Sequence, residues 1–121
     1  MRLEAVMNRF VEIIGPHGSI ATAERRLKQK RIHHLVVVDR DRIVGLVTQD
    51  VLRHRKGEGA TRVEDAMLRN ITLARTDMTV REAAALMSPG HAQTALPVVD
   101  GGRLVGIVTV SDILALAASA R

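Results

Sequence analysis

Cysteine, tryptophan and tyrosine are absent from the 121 residues, and Phe10 is the only phenylalanine. Without cysteine there are no disulfides, thiolate nucleophiles, iron–sulfur clusters or cysteine-type zinc sites. With Phe10 standing alone, nothing is ready-made to stack a nucleic-acid base, and any core must be built from Val, Ile, Leu, Ala and Met. Long apolar runs are missing too. The longest candidates, Leu35–Val38 and Ile113–Ala118, fall far short of the ~18 residues of a membrane span. Glu4 and Arg9 interrupt the N-terminus where a signal peptide needs an apolar stretch. The expectation is a soluble, cytoplasmic protein with no membrane partner.

What is present is ordinary in amount and unusual in order. Hydrophobic residues make up 46% and charged residues 26%, the balance of a globular domain rather than a disordered chain. The formal net charge of +5 suits anionic partners but is also common on solvated surfaces. The order is that of a duplication. Leu35-Val36-Val37-Val38-Asp39 and Arg42-Ile43-Val44-Gly45-Leu46-Val47-Thr48 return as Leu96-Pro97-Val98-Val99-Asp100 and Arg103-Leu104-Val105-Gly106-Ile107-Val108-Thr109, at an offset of 61. Upstream, Met7-x-Arg9 matches Met67-x-Arg69 at offset 60; downstream, Asp50-Val51-Leu52 matches Asp112-Ile113-Leu114 at offset 62. A repeat of this kind decides the fold.

Each copy reads as β-α-β-β-α. A short apolar stretch (Val11–Ile14 or Ile71–Ala74) leads through a turn into a helix. Thr79-Val80-Arg81-Glu82 forms a capping box, and Val80, Ala83, Ala84 and Met87 share one helical face. Ser19 is the matching cap, with Ile20, Ala23 and Leu27 inward. Two β-branched runs then form strands joined by the hairpin-sized links Asp39-Arg40-Asp41 and Asp100-Gly101-Gly102. A second helix follows Thr48 or Thr109. The division expected is copy one at 1–56, a linker at 57–62 and copy two at 63–121, with Thr61-Arg62-Val63-Glu64 as another capping box. The fold class is α/β (α+β), with two copies too small to bury a core alone and expected to pack as one pseudo-two-fold unit.

The strand–turn–strand–helix pattern Leu96 to Leu114, with its counterpart starting at Ile32-His33-His34, resembles the cystathionine β-synthase (CBS) domain. The whole chain resembles a tandem CBS pair with no attached enzyme or channel. That resemblance implies binding of adenosine-type ligands (AMP, ADP, ATP or S-adenosylmethionine) in clefts between the copies. It also implies a regulatory rather than catalytic role, a homodimer and an unidentified regulated protein. No obligatory cofactor is implied.

The chemistry of such a site is readable around Thr109-Val110-Ser111-Asp112, where a strand becomes a helix. Helix N-terminal amides and the dipole suit phosphate. Thr109 and Ser111 add hydroxyls, and a carboxylate can accept from both hydroxyls of a ribose, the role that the resemblance gives Asp112. The same spacing is also ordinary helix capping. In copy one the carboxylate arrives one residue early: Asp50 follows Gln49, and Val51 stands in the ribose position. One helical residue is roughly 100° of rotation, so one good site and one weak one are expected. Ile71, Pro97 and Val98 are the candidate lining of an apolar adenine slot, although Pro97 equally suits a strand's first residue. His33 and His34 occupy positions where CBS pairs of the AMP-activated kinase γ-subunit type carry a His-Arg pair near ligand phosphates. Neighbouring residues at a strand entry face opposite ways, so one of the two is equally a solvent-facing residue.

Other classes fit less well. The five histidines show no metal-ligand spacing. No nucleophile elbow or Walker loop is present, and Gly57-Glu58-Gly59 lacks a third glycine and a preceding strand. Two alternatives stay open: a ligand-free structural dimerisation module, and nucleic-acid binding through the basic helix face Arg25–Arg31.

Overall fold

The computed structural model describes residues 1–87 and 93–119. A 3-10 turn at Leu3–Ala5 is followed by β1 (Ile13–Ile14), α1 (Ile20–Lys30), β2 (His34–Asp39), β3 (Arg42–Thr48) and α2 (Gln49–Gly57). Then come α3 (Val63–Ala66), β4 (Ala74–Arg75), α4 (Val80–Leu86), β5 (Ala95–Asp100), β6 (Arg103–Thr109) and α5 (Val110–Ser119). The β-α-β-β-α string expected of each copy is present in both. β1 runs parallel to β2, and β2 antiparallel to β3; β4, β5 and β6 repeat the arrangement. Even the irregularity repeats, between Val37 and Val38 in one sheet and Val98 and Val99 in the other.

The chain divides into two compact units, and they do not coincide with the sequence copies. A continuous unit is formed by Glu12–Ile71. A split unit joins Met1–Val11 to the chain from Thr72 onward. The cause is visible at the leading segments. Leu3 and Met7 are buried in the core of copy two, with Ala74, Ala83, Leu96, Val98 and Val108. Backbone bonds fix them there: Leu3 N donates to Met78 O (2.8 Å), and Asn8 and Ile107 exchange N–H···O bonds of 2.9 Å. Copy two's leading segment does the same for copy one. Val63, Ala66 and Met67 join the core of Ile14, Ile20, Leu27, Leu35, Val37, Val47 and Leu52. Leu68 and Leu46 exchange bonds of 2.8 and 3.1 Å. The Met-x-Arg match now has a reason. Each Met fills the pleat over a strand glycine, and each Arg (Arg9, Arg69) donates to a carbonyl of the preceding helical turn (Glu4 O 3.1 Å, Glu64 O 2.8 Å).

Both cores are aliphatic, as the composition requires, and Phe10 is 91% exposed. The caps at Ser19 and Thr79 form, the latter with a reciprocal bond to Glu82. The box expected at Thr61 does not. Residues 61 and 62 are extended, because Thr61 O accepts from Ile20 N (2.8 Å) and Arg62 bridges to Ser19. The helix therefore starts at Val63 after an Arg62 cap without a side-chain bond, and Glu64 turns to His17 at 3.6 Å. Among the described residues no helix is long and apolar enough to cross a membrane.

Candidate functional site

The split unit brings Thr109 and Asp112 together at the junction of β6 and α5. Thr109 Oγ1 accepts from the Asp112 amide (3.2 Å), and Asp112 Oδ2 accepts from the Thr109 amide (2.9 Å). This is a closed capping box, so the structural role is real. It occupies one carboxylate oxygen. Among the described residues no donor reaches the other, Oδ1, and the side chain is half-buried rather than screened by open solvent. A carboxylate fixed through one oxygen is a pre-oriented acceptor through the other. Ser111, at the second helical position, is exposed. The Val110 amide is already used, donating to Thr94 O at 3.0 Å.

The residues expected to line an adenine slot lie ahead of β4 and on β5. Val98 is fully buried in the helix-side core and pairs with Ala74 and Gly106. Its side chain packs with Ala74, Ala83, Leu96 and Val108. Pro97 is also fully buried, one residue earlier and therefore on the opposite face of β5, opposite Ile107. Ile71 is half-buried and is the last residue of the continuous unit. Gln93, which sequence reasoning passed over, ties the chain before β4 to the start of β5. It accepts from Thr72 N (2.8 Å) and donates to Thr72 O (2.7 Å) and Ala95 O (2.9 Å). Its only sequence signal was a primary amide just ahead of a strand, where both its donor and acceptor match a backbone edge.

The continuous unit holds the corresponding junction of β3 and α2. Thr48 Oγ1 accepts from the Val51 amide (3.1 Å), so Val51 occupies the position of Asp112 and no carboxylate closes the box. Asp50 lies one residue earlier and is exposed. His33 stands outside β2, exposed, with Nδ1 donating to Gln49 Oε1 at 3.0 Å and its carbonyl accepting from Gln49 N at 3.2 Å. His34 begins β2, half-buried and opposite Thr48. Of the basic face, Arg26 donates to Ile13 O (2.7 Å) and Lys30 lies 3.7 Å from Glu12. Part of that charge is therefore spent within the fold.

Both copies match the family model of the CBS domain, over residues 3–56 and 63–119. The chain belongs to the CBS domain family. It carries two CBS domains in tandem, and each begins with the segment that completes the other's core. An inosine-5'-monophosphate dehydrogenase of Thermoplasma acidophilum is 33% identical over 114 residues, covering 93% of this chain and 23% of that protein. The CBS domain-containing protein YhcV of Bacillus subtilis is 28% identical over 111 residues, covering 88% of this chain and 79% of that one. The chain thus spans less than a quarter of the dehydrogenase. Among solved structures, the CBS domain pair of protein MJ0100, in complex with 5'-methylthioadenosine and S-adenosyl-L-methionine, superposes with a TM-score of 0.91 at 28% identity. It covers 100% of this chain and 98% of that one.

Proposed function

We propose that this CBS pair is a regulatory, non-catalytic module that binds an adenosine-containing ligand through Thr109, Ser111 and Asp112. The observation that carries the reading is the half-engaged Asp112 carboxylate, held by Thr109 N through Oδ2 with Oδ1 left for a ligand. Oδ1 accepts a ribose hydroxyl, and the first turn of α5 faces the polar end of the ligand. The adenosine compounds bound by the related MJ0100 pair support this class of ligand, which includes AMP, ADP, ATP and S-adenosylmethionine. Copy one, with Val51 in place of the carboxylate, contributes the weaker site. The module signals to a regulated protein, as a homodimer, through the ligand's unequal affinity for two conformations, since equal affinity would shift nothing.

Thermal shift and calorimetry with AMP, ADP, ATP, S-adenosylmethionine and 5'-methylthioadenosine test the reading. At least one raises the unfolding temperature, and Asp112→Ala abolishes the rise. Silence across the set at millimolar concentration overturns the function. A rise untouched by Asp112→Ala moves the site elsewhere.

A further inference from the structure

Gln93 holds Thr72 by both of its backbone groups. Its Oε1 accepts from Thr72 N (2.8 Å) and its Nε2 donates to Thr72 O (2.7 Å), so one carboxamide engages the donor and the acceptor of a single residue. The second amide proton goes to Ala95 O at 2.9 Å. Thr72 is exposed and Gln93 half-buried. Both belong to the end of the split unit that carries Asp112. Ala95 pairs with Thr109, whose amide donates to Asp112, and Thr94 O takes the amide of Val110.

The repeat explains why Thr72 O takes a side chain. In copy one the equivalent carbonyl, Glu12 O, accepts from Val36 N at 3.1 Å, beside the pair Ile13 and Val36. In copy two Pro97 stands in the place of Val36. Proline has no N–H, so the strand ladder cannot supply this bond. Thr72 is left with an acceptor next to its own donor, on an exposed stretch of chain ahead of β4. Copy one carries Ile32 where copy two carries Gln93. The two differences belong together: a proline that withdraws a donor and a glutamine that returns one.

A carboxamide presents an acceptor and a donor side by side, and so does adenine through a ring nitrogen and its 6-amino group. We propose that Gln93 is a built-in competitor for the base: its carboxamide holds Thr72 N and Thr72 O until a 6-aminopurine displaces it and takes the same two bonds. This rests on the adenosine site proposed above, with the ribose at Asp112. The exchange trades two backbone bonds for two like them, so bond count favours neither occupant. The ribose contact and the ring area covered decide the outcome. Gln93 thereby raises the ligand concentration at which the site fills. A 6-oxopurine in the same pose brings an acceptor to Thr72 O and an N–H to Thr72 N. Both contacts are repulsive, so Thr72 separates amino from oxo purines.

The test compares AMP with IMP, and ATP with ITP, on the whole chain, because each pair shares ribose and phosphates and differs at the 6-position. On addition of AMP or ATP, the Gln93 side-chain amide signals in NMR are expected to move toward those of a free carboxamide. Calorimetry is expected to show the amino member of a pair bound at least about tenfold more tightly than the oxo member. Gln93→Ala removes the competitor, so it tightens AMP or ATP binding about three- to tenfold while lowering the unfolding temperature of the protein alone. Pro97→Val, the residue of copy one, returns a ladder donor to Thr72 O and weakens binding at least about threefold. A glutamine that only ties β4 to β5 predicts the opposite sign for Gln93→Ala, with binding and stability falling together. That result, Gln93 signals unmoved by bound AMP or ATP, or equal affinities for amino and oxo members would each overturn the proposal and leave the adenosine site standing. Silence of AMP and ATP at millimolar concentration, in the parent and in Gln93→Ala alike, overturns that site and the proposal with it.

Discussion

Met7 lies over Gly106 so closely that a Cβ on the glycine would stand 2.6 Å from the Met7 sulfur and 3.1 Å from Asn8 O. Met67 and Gly45 repeat the relation, at 2.7 Å from the sulfur and 2.8 Å from Leu68 O. These contacts are where each copy's leading segment is received by the other copy's sheet. A methyl group at either glycine must displace sulfur and backbone together, and backbone cannot swing aside. Gly106→Ala and Gly45→Ala are therefore expected to destabilise by about 1–3 kcal/mol, as overpacking does. Gly45→Ala should cost more, because its closest backbone oxygen is nearer. Urea unfolding of the two variants measures this, and midpoints equal to the parent's would show that the segments dock elsewhere.

The β2–β3 link carries Arg40 and Asp41 at φ 49° and 65°, where the β5–β6 link carries Gly101 and Gly102 at 57° and 82°. Two-residue hairpin loops of this type need both central residues in the left-handed region and favour Asn-Gly. Replacing Arg40-Asp41 by Asn-Gly should raise stability by about 1 kcal/mol. Gly102→Ala in the other copy should lower it. Denaturant midpoints decide, and a loss in the Asn-Gly variant would mean that the Arg40 or Asp41 side chain contributes a contact outweighing the backbone gain.

The duplication and the element order were legible because side-chain period and turn residues are local signals. The exchange of leading segments was not. Met7-x-Arg9 and Met67-x-Arg69 read the same whichever core receives them, since periodicity fixes an inward face and not the sheet it meets. The failed Thr61 box has a related cause: residues 61 and 62 spend their backbone on Ile20 and Ser19, a pairing with no local trace. At the candidate site, the spacing of Thr109 and Asp112 disclosed the capping pair, while the ribose role expected of Asp112 came from the resemblance to the CBS domain. A short apolar strand does not disclose which of its faces is core, so the packing of Val98 with Ala74, Ala83 and Val108 had no local trace.

Glu82 closes the capping box at the start of α4, accepting from the backbone N–H and the side-chain hydroxyl of Thr79. These bonds, the backbone one first, hold its carboxyl below the ordinary value of 4.5. A carboxyl that releases its proton more readily in the folded state stabilises that state above its unfolded pKa. The contribution fades as pH falls through the lower folded value. The parent should therefore lose thermal stability below about pH 4.5 more steeply than Glu82→Gln, which has no such proton to take up. Parallel melting curves for the two proteins across pH 3–6 would dismiss the link.

Val51 and Asp112 occupy the same turn of the same element in the two copies, each with its amide on a threonine hydroxyl. Their difference separates capping from binding. Asp112→Asn keeps a carbonyl oxygen for the Thr109 amide while removing the charge, so stability should fall by no more than about 1 kcal/mol. Loss of a charged acceptor for ribose should weaken adenosine-ligand binding at least about tenfold. Val51→Asp runs the change in reverse. Its carboxylate can accept from the Thr48 amide, adding up to about 1 kcal/mol of stability, and it places an acceptor in the copy that lacks one. Calorimetry should then show a second binding event in Val51→Asp, or a tighter weak one. If Val51→Asp gains the stability without any added binding, the copy-one site is deficient in more than its carboxylate. His33-His34, where copy two has Thr94-Ala95, is then the difference to exchange next.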